Sequence, residues 1–161
     1  MIIKLKELIM KKMKIALCLV VCFMLNIASM CSNDDTSSSN IALTNVINTV
    51  SNGTWRITYY NDSGTIKTTL YTGFNFTFAN SNLLTATNGT NTYSGSWSVT
   101  DSNSNDDTLS DLDFTILFTA PVNFADLSDD WDIQSQTATK IELVDISGGN
   151  GGVDYLTFEK N

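Results

Sequence analysis

At 161 residues, with 42% apolar residues and a formal net charge of −8, the chain is long enough for one domain plus a targeting segment. It holds no histidine, and its three cysteines (Cys18, Cys22, Cys31) all lie in the first 31 positions. This excludes Ser–His–Asp, Cys–His and histidine-metal chemistry, and any disulfide framework in the body of the chain.

Charge is divided along the sequence. Residues 1–30 carry five lysines and one acid, so the remainder keeps four basic and sixteen acidic residues, a net of −12. Such a surface repels phosphate backbones, which argues against nucleic acid as a partner.

Lys11, Lys12 and Lys14 precede an apolar run over residues 15–27, broken only by Asn26. A basic flank before a short apolar run is the layout of a secretory signal, and the run is short for a membrane-spanning helix. Ala28-Ser29-Met30-Cys31 follows, and it resembles the lipobox at which lipoprotein signal peptidase cuts. That resemblance implies a signal peptide over 1–30 and a lipid on the Cys31 thiol. It departs from the usual pattern at Met30, where small residues are common. Residues 32–40 (SNDDTSSSN) are wholly polar, so 31–40 is expected to be a flexible tether. Asp34 and Asp35, close behind the cysteine, resemble surface-export signals of some Gram-negative lipoproteins. A cell-envelope, outer-membrane location is the expectation, with the lipid anchor as the contact to the membrane.

Leu43, Val46, Ile47 and Val50 fall at i, i+3, i+4, i+7, which predicts a short helix over 41–51, with Asn40 as its cap and Gly53 just past its end. The period then becomes two. Trp55, Ile57 and Tyr59 alternate with Arg56, Thr58 and Tyr60. Phe74, Phe76 and Phe78 form the next apolar face, then Trp97 and Val99, then Leu112, Phe114, Ile116 and Phe118. Trp131 with Ile133, Ile141 with Leu143, and Leu156 with Phe158 complete the set. A further strand is expected at 83–87. Turn signals at Asn61-Asp62-Ser63-Gly64, at Asn88-Gly89, in the acidic stretch 101–111 and in the glycines of 148–152 separate these runs. About eight antiparallel strands joined by hairpins favour an all-β, up-and-down barrel over 41–161, since closure removes the exposed edges. A β-sandwich is the alternative fold.

Gly53-Thr54-Trp55 opens the first strand after a short helix, and Gly-x-Trp recurs at Gly95-Ser96-Trp97. With GTWRITYY at 53–60, SGSWSV at 94–99, and LSDDWDI, TKIEL and DYLTFEK within 127–160, the chain resembles the small lipocalin-like (calycin-type) lipoproteins of Gram-negative bacteria. The resemblance implies a barrel whose end is closed by Gly53 and Trp55, and an internal cavity for a small apolar or amphipathic ligand. The lipocalin arginine that stacks on this Trp from the last strand has no clear counterpart; Lys160 is the only nearby cation.

Other motifs carry less. Residues 101–107 (DSNSNDD) resemble half of an EF-hand loop, but Asp106 stands where glycine belongs and Leu112 where the final acid belongs. A solvated loop is favoured over weak calcium binding at 101–113, and no cofactor or metal is expected. Residues 148–156 match one β-roll nonapeptide with an extra residue, and a β-roll needs stacked copies. Asp129 with Asp130 and Asp106 with Asp107 are carboxylate pairs, yet they fall in turns or on wet faces, where neither acquires the raised pKa of a catalytic acid. Exposed Tyr60 and Tyr71 are expected on the surface, where they could serve a glycan. Two functions remain: a non-catalytic carrier of a small ligand, or a non-catalytic interaction module with a filled barrel.

Overall fold

The computed structural model describes residues 35–101, 112–147 and 151–161. The chain divides at residue 34, and the unit from Asp35 to Asn161 holds every described element. It begins with helix α1 (Asp35–Val50), which starts six residues ahead of the stretch expected from apolar spacing. Asn40, expected as its cap, therefore lies inside it, and residues 35–40 of the expected tether are helical. Val46 and Val50 are wholly buried, while Leu43 and Ile47 pack against the core. A helix this polar is held by that apolar stripe.

Nine strands follow: β1 (Trp55–Asp62), β2 (Thr65–Ile66), β3 (Asn75–Phe78), β4 (Leu83–Thr87), β5 (Thr92–Asp101), β6 (Leu112–Leu117), β7 (Asp129–Gln136), β8 (Lys140–Ile146) and β9 (Val153–Lys160). A 3-10 helix (Thr68–Tyr71) lies between β2 and β3, and a one-turn helix α2 (Val122–Ala125) between β6 and β7. Every pairing is antiparallel, and each strand from β3 to β9 pairs with the next. β9 returns to β1 with Trp55 opposite Lys160, and β1 meets β3 through Trp55 and Phe76. Eight strands thus close into an all-β, lipocalin-like barrel, and β2 is a hairpin extension of β1. Closure rules out the sandwich.

Alternation places most expected residues inside. Trp55, Ile57, Phe74, Phe76, Phe78, Trp97, Phe114, Phe118, Trp131 and Phe158 are all buried. Strand β1 departs from simple alternation, and the β7–β8 register also shifts between Ile133 and Ser135. The β1–β9 register slips between Ile57 and Tyr59, leaving Thr58 as an extra residue. Such a bulge moves every later side chain to the opposite face. Tyr59, expected inward, is therefore 40% exposed, and Tyr60, expected on the surface, is 1% exposed. Tyr71, also expected outside, is 1% exposed because the 3-10 helix folds it over the barrel. Neither Tyr60 nor Tyr71 is available as a glycan platform.

Gly95 marks a second constraint. A Cβ there would lie 2.3 Å from the Leu117 carbonyl oxygen and 2.9 Å from the Phe118 ring. The second Gly-x-Trp thus reflects close approach of β5 and β6, with Trp97 turned into the core beside Phe78 and Phe114.

Candidate functional site

Antiparallel alternation gives the barrel two ends. At the first, α1 leads into β1 through Gly53, whose φ of +88° is a conformation that glycine adopts without strain. The Trp55 indole N–H donates to the carbonyl of Val50, 2.8 Å away, and so satisfies a carbonyl at the end of α1. The Lys160 ammonium lies 5.2 Å from the Trp55 ring centroid, a cation–π distance. A Cβ on Gly53 would sit 3.0 Å from Lys160 Cε. The residues expected at the barrel's end, Gly53 and Trp55, are therefore brought together, and Lys160 supplies the cation that the sequence lacked in arginine form.

The second end lies opposite Trp55, where a ligand would enter a barrel closed by that residue. Phe124 of α2 fills it. Its ring contacts those of Tyr71, Phe74, Phe76, Tyr93 and Phe118, with centroids 4.7–6.0 Å apart, and the residue is wholly buried. Below it Phe76, Phe78, Trp97, Phe114 and Phe158 continue as a chain of mainly edge-to-face contacts. An eight-stranded barrel is just wide enough to be filled by side chains, and this one is filled along its axis.

The plug is tied down by polar contacts. The Tyr60 hydroxyl donates to the Asp126 carbonyl and the Tyr71 hydroxyl to the Asn123 carbonyl, both at 2.5 Å. Lys67 pairs with Asp62 and, at 2.8 Å, with Asp126. Ser128 Oγ accepts from the Phe118 N–H and donates to its carbonyl, at 2.8 and 2.9 Å. The Trp131 indole N–H donates to Leu127, 3.1 Å away.

Burial, and then neighbouring acids, push the Tyr60 hydroxyl well above its ordinary range. Burial, and then Tyr60 and Asp126, do the same for Tyr71. Hydrogen bonds that Lys67 donates to Asp126 and then Asp62 raise its pKa. In each case the folded form holds its proton more tightly than the unfolded chain. The resulting stability is present below about pH 10 and is lost as pH rises past the unfolded pKa values. Unfolding should therefore steepen in alkali. Tyr71→Phe should cost about 1 kcal/mol at neutral pH and flatten the alkaline decline, as followed by urea unfolding across that range.

Beside the plug, oxygens of Asp129, Asp145 and Asp154 lie within 4.8 Å of one another. Asp154 accepts from the backbone N–H and the hydroxyl of Ser63, at 2.6 and 3.0 Å, and Asp145 accepts from Ser147. The triad has the oxygen ligands a hard cation takes, though all three groups reach solvent. Contrary to the expectation for the Asp129–Asp130 pair, the Asp129 carboxyl is raised, by partial burial and then by repulsion from Asp145 and Asp154, against a hydrogen bond from the Asp130 N–H. A raised acid makes the fold less stable as pH climbs through its pKa. Asp129→Asn keeps an oxygen for the Asp130 N–H and removes the repulsion. It should raise the melting temperature at pH 7, with the gain shrinking as pH falls through the raised Asp129 pKa and gone below about pH 4, where this carboxyl is protonated in the unfolded chain as well.

A cleft of about 270 Å³ lies between α1, the β3–β4 turn and β5, lined by Ile47, Asn48, Asn80, Asn82, Trp97, Ser98 and Val99. Its three amides, one of which donates to the Trp97 carbonyl at 3.0 Å, share its walls with Ile47, Trp97 and Val99, so the lining is mixed.

Cys31, the apolar run 15–27, Asp106 with Asp107, and all of the 101–113 loop but its ends lie outside the described residues. Sequence reasoning missed Phe124 and Leu127. Pro121 at a helix start, with apolar residues three and six positions on, was the available signal. Comparison with family models, with curated proteins and with solved structures finds no match to this chain.

Proposed function

We propose that the chain is an exported, lipid-anchored protein of the bacterial cell envelope whose barrel is a non-catalytic interaction module, not a carrier. The filled interior carries this reading: Phe124 and its ring contacts occupy the end where a ligand would enter. Export and anchoring rest on the basic flank, the 15–27 apolar run and Cys31. The absence of histidine and of cysteine beyond position 31 supports a role without nucleophilic or histidine-metal catalysis.

Titration with an environment-sensitive fluorescent fatty acid tests the module. The wild type should show no saturable one-to-one binding; saturable micromolar binding would restore the carrier. Feeding the producing bacterium a clickable fatty acid tests the anchor. The wild type should be labelled and Cys31→Ser should not, and equal labelling of both would sink the assignment.

A further inference from the structure

We propose that the Phe124 end of the barrel docks a cationic amphipathic segment of a partner protein. The inference rests on the interaction-module reading and names the surface and the chemistry it takes. Four large apolar residues stand exposed there: Ile66 at 58%, Leu70 at 47%, Val122 at 81% and Ile146 at 67%. They sit on β2, the 3-10 helix, α2 and the end of β8, all at this end of the barrel. Leu70 and Val122 each lie one residue from a partner in the Tyr71–Asn123 hydrogen bond, and Ile66 adjoins Lys67, which pairs with Asp126. Apolar tips grouped on one end mark an interaction surface more readily than the same number scattered.

Charge specifies the partner. Asp62, Asp126, Asp129, Asp145 and Asp154 ring the same end. Its cation, Lys67, is already engaged by Asp62 and Asp126. The other three bases beyond position 34 (Arg56, Lys140 and Lys160) lie at the Trp55 end, where Arg56 pairs with Glu159 and Lys140 with Glu142. A second copy of this end, an anionic membrane or a nucleic acid would bring negative charge to negative charge. A glycan would want a platform of exposed aromatic faces, and the most exposed tips are aliphatic, with Tyr155 on β9 only 36% exposed. A helix or strand with lysine or arginine flanking apolar residues matches both features. The plug's hydrogen bonds hold the surface in one conformation, which lowers the ordering cost of binding.

The probe is a short fluorescein-labelled helical peptide with leucines on one face and lysines on the other. Its control is a scramble of the same composition that lacks the two faces. Anisotropy is read against the full-length chain in non-ionic detergent, with empty micelles subtracted. The amphipathic peptide should bind more tightly than the scramble. Combined Ile66→Ser, Leu70→Ser and Val122→Ser should weaken binding about tenfold or more, as expected for loss of an interface's apolar centre. Val122→Lys alone, a single exposed change that spares the fold, should weaken it too. Leu83→Ser, an equally exposed leucine on β4, should not. Paired Asp129→Asn and Asp145→Asn should flatten the salt dependence.

Equal affinity for wild type and Val122→Lys, or for peptide and scramble, would overturn the proposal by reducing the interaction to diffuse charge attraction. Saturable fatty-acid binding would overturn the module itself. Failure of the peptide map alone would overturn only this surface.

Discussion

Phe124→Ala should destabilise the barrel by about 3–5 kcal/mol, the range for deleting a buried aromatic, and lower the melting temperature by about 10–20 °C. The reason is local. The ring has five aromatic neighbours drawn from the 3-10 helix, the start of β3, β5 and the end of β6. Those neighbours are fixed by strand pairing and by the Tyr60 and Tyr71 hydrogen bonds, so collapse into the void would be partial. An unfilled void costs more the less its walls relax. The same substitution should create an apolar cavity at the barrel mouth, and the variant should acquire the fatty-acid binding that the wild type lacks. Destabilisation without any gain of probe binding would mean that the walls had closed. A change of only a few degrees in chemical or thermal unfolding would show that Phe124 is not the plug.

Trp55→Ala should cost a similar amount, about 3–5 kcal/mol, by a different route. Trp55 is wholly buried, faces Lys160 on β9 and Phe76 on β3, and donates to the end of α1. Its removal loosens helix, closure and last strand together. Trp55→Phe separates these parts by keeping an aromatic ring and losing the N–H; it should recover much of the loss, though not the bond to Val50. Lys160→Met should cost only about 0.5–1 kcal/mol, the size of an exposed cation–π contact. Urea unfolding of the three variants should give that order. A Trp55→Ala protein nearly as stable as wild type would place the residue outside the core.

The strands were legible because each has one wet and one dry face, and a period of two survives in sequence wherever the pairing is regular. Leu83–Thr87, Trp97 with Val99, and Ile141 with Leu143 follow it directly. The rule failed at Thr58, because a bulge is a property of two strands and β1 alone does not reveal it. Tyr59 and Tyr60 are also chemically identical, so nothing in their types marked which was buried. Phe124 was hidden for another reason. It comes from a single helical turn, too short for any period, and its role depends on Tyr71 and Tyr93, 53 and 31 positions earlier in the chain. Gly53 and Trp55 were legible as a motif, whereas the placement of Lys160 over the indole required the β1–β9 register. The Asp129, Asp145 and Asp154 group could not be read from spacing, since three different strands bring it together.

The pairing of Trp55 with Lys160 also governs when the molecule can fold. All other neighbouring strands that share several paired residues are close in sequence, but this seam joins nearly the first barrel residue to nearly the last. Bringing such distant segments together is slow, because the chain between them must first be ordered. During synthesis β1 has only the two-residue β2 and a single residue pair with β3 as strand partners until β9 has emerged. Until then hairpins such as β4–β5 and β7–β8 can form, and the closed cylinder cannot. The nascent polypeptide therefore stays threadable until β9 has emerged, and a ribosome stalled before β9 would leave two sticky sheet edges, on β1 and β8, for chaperones to cover.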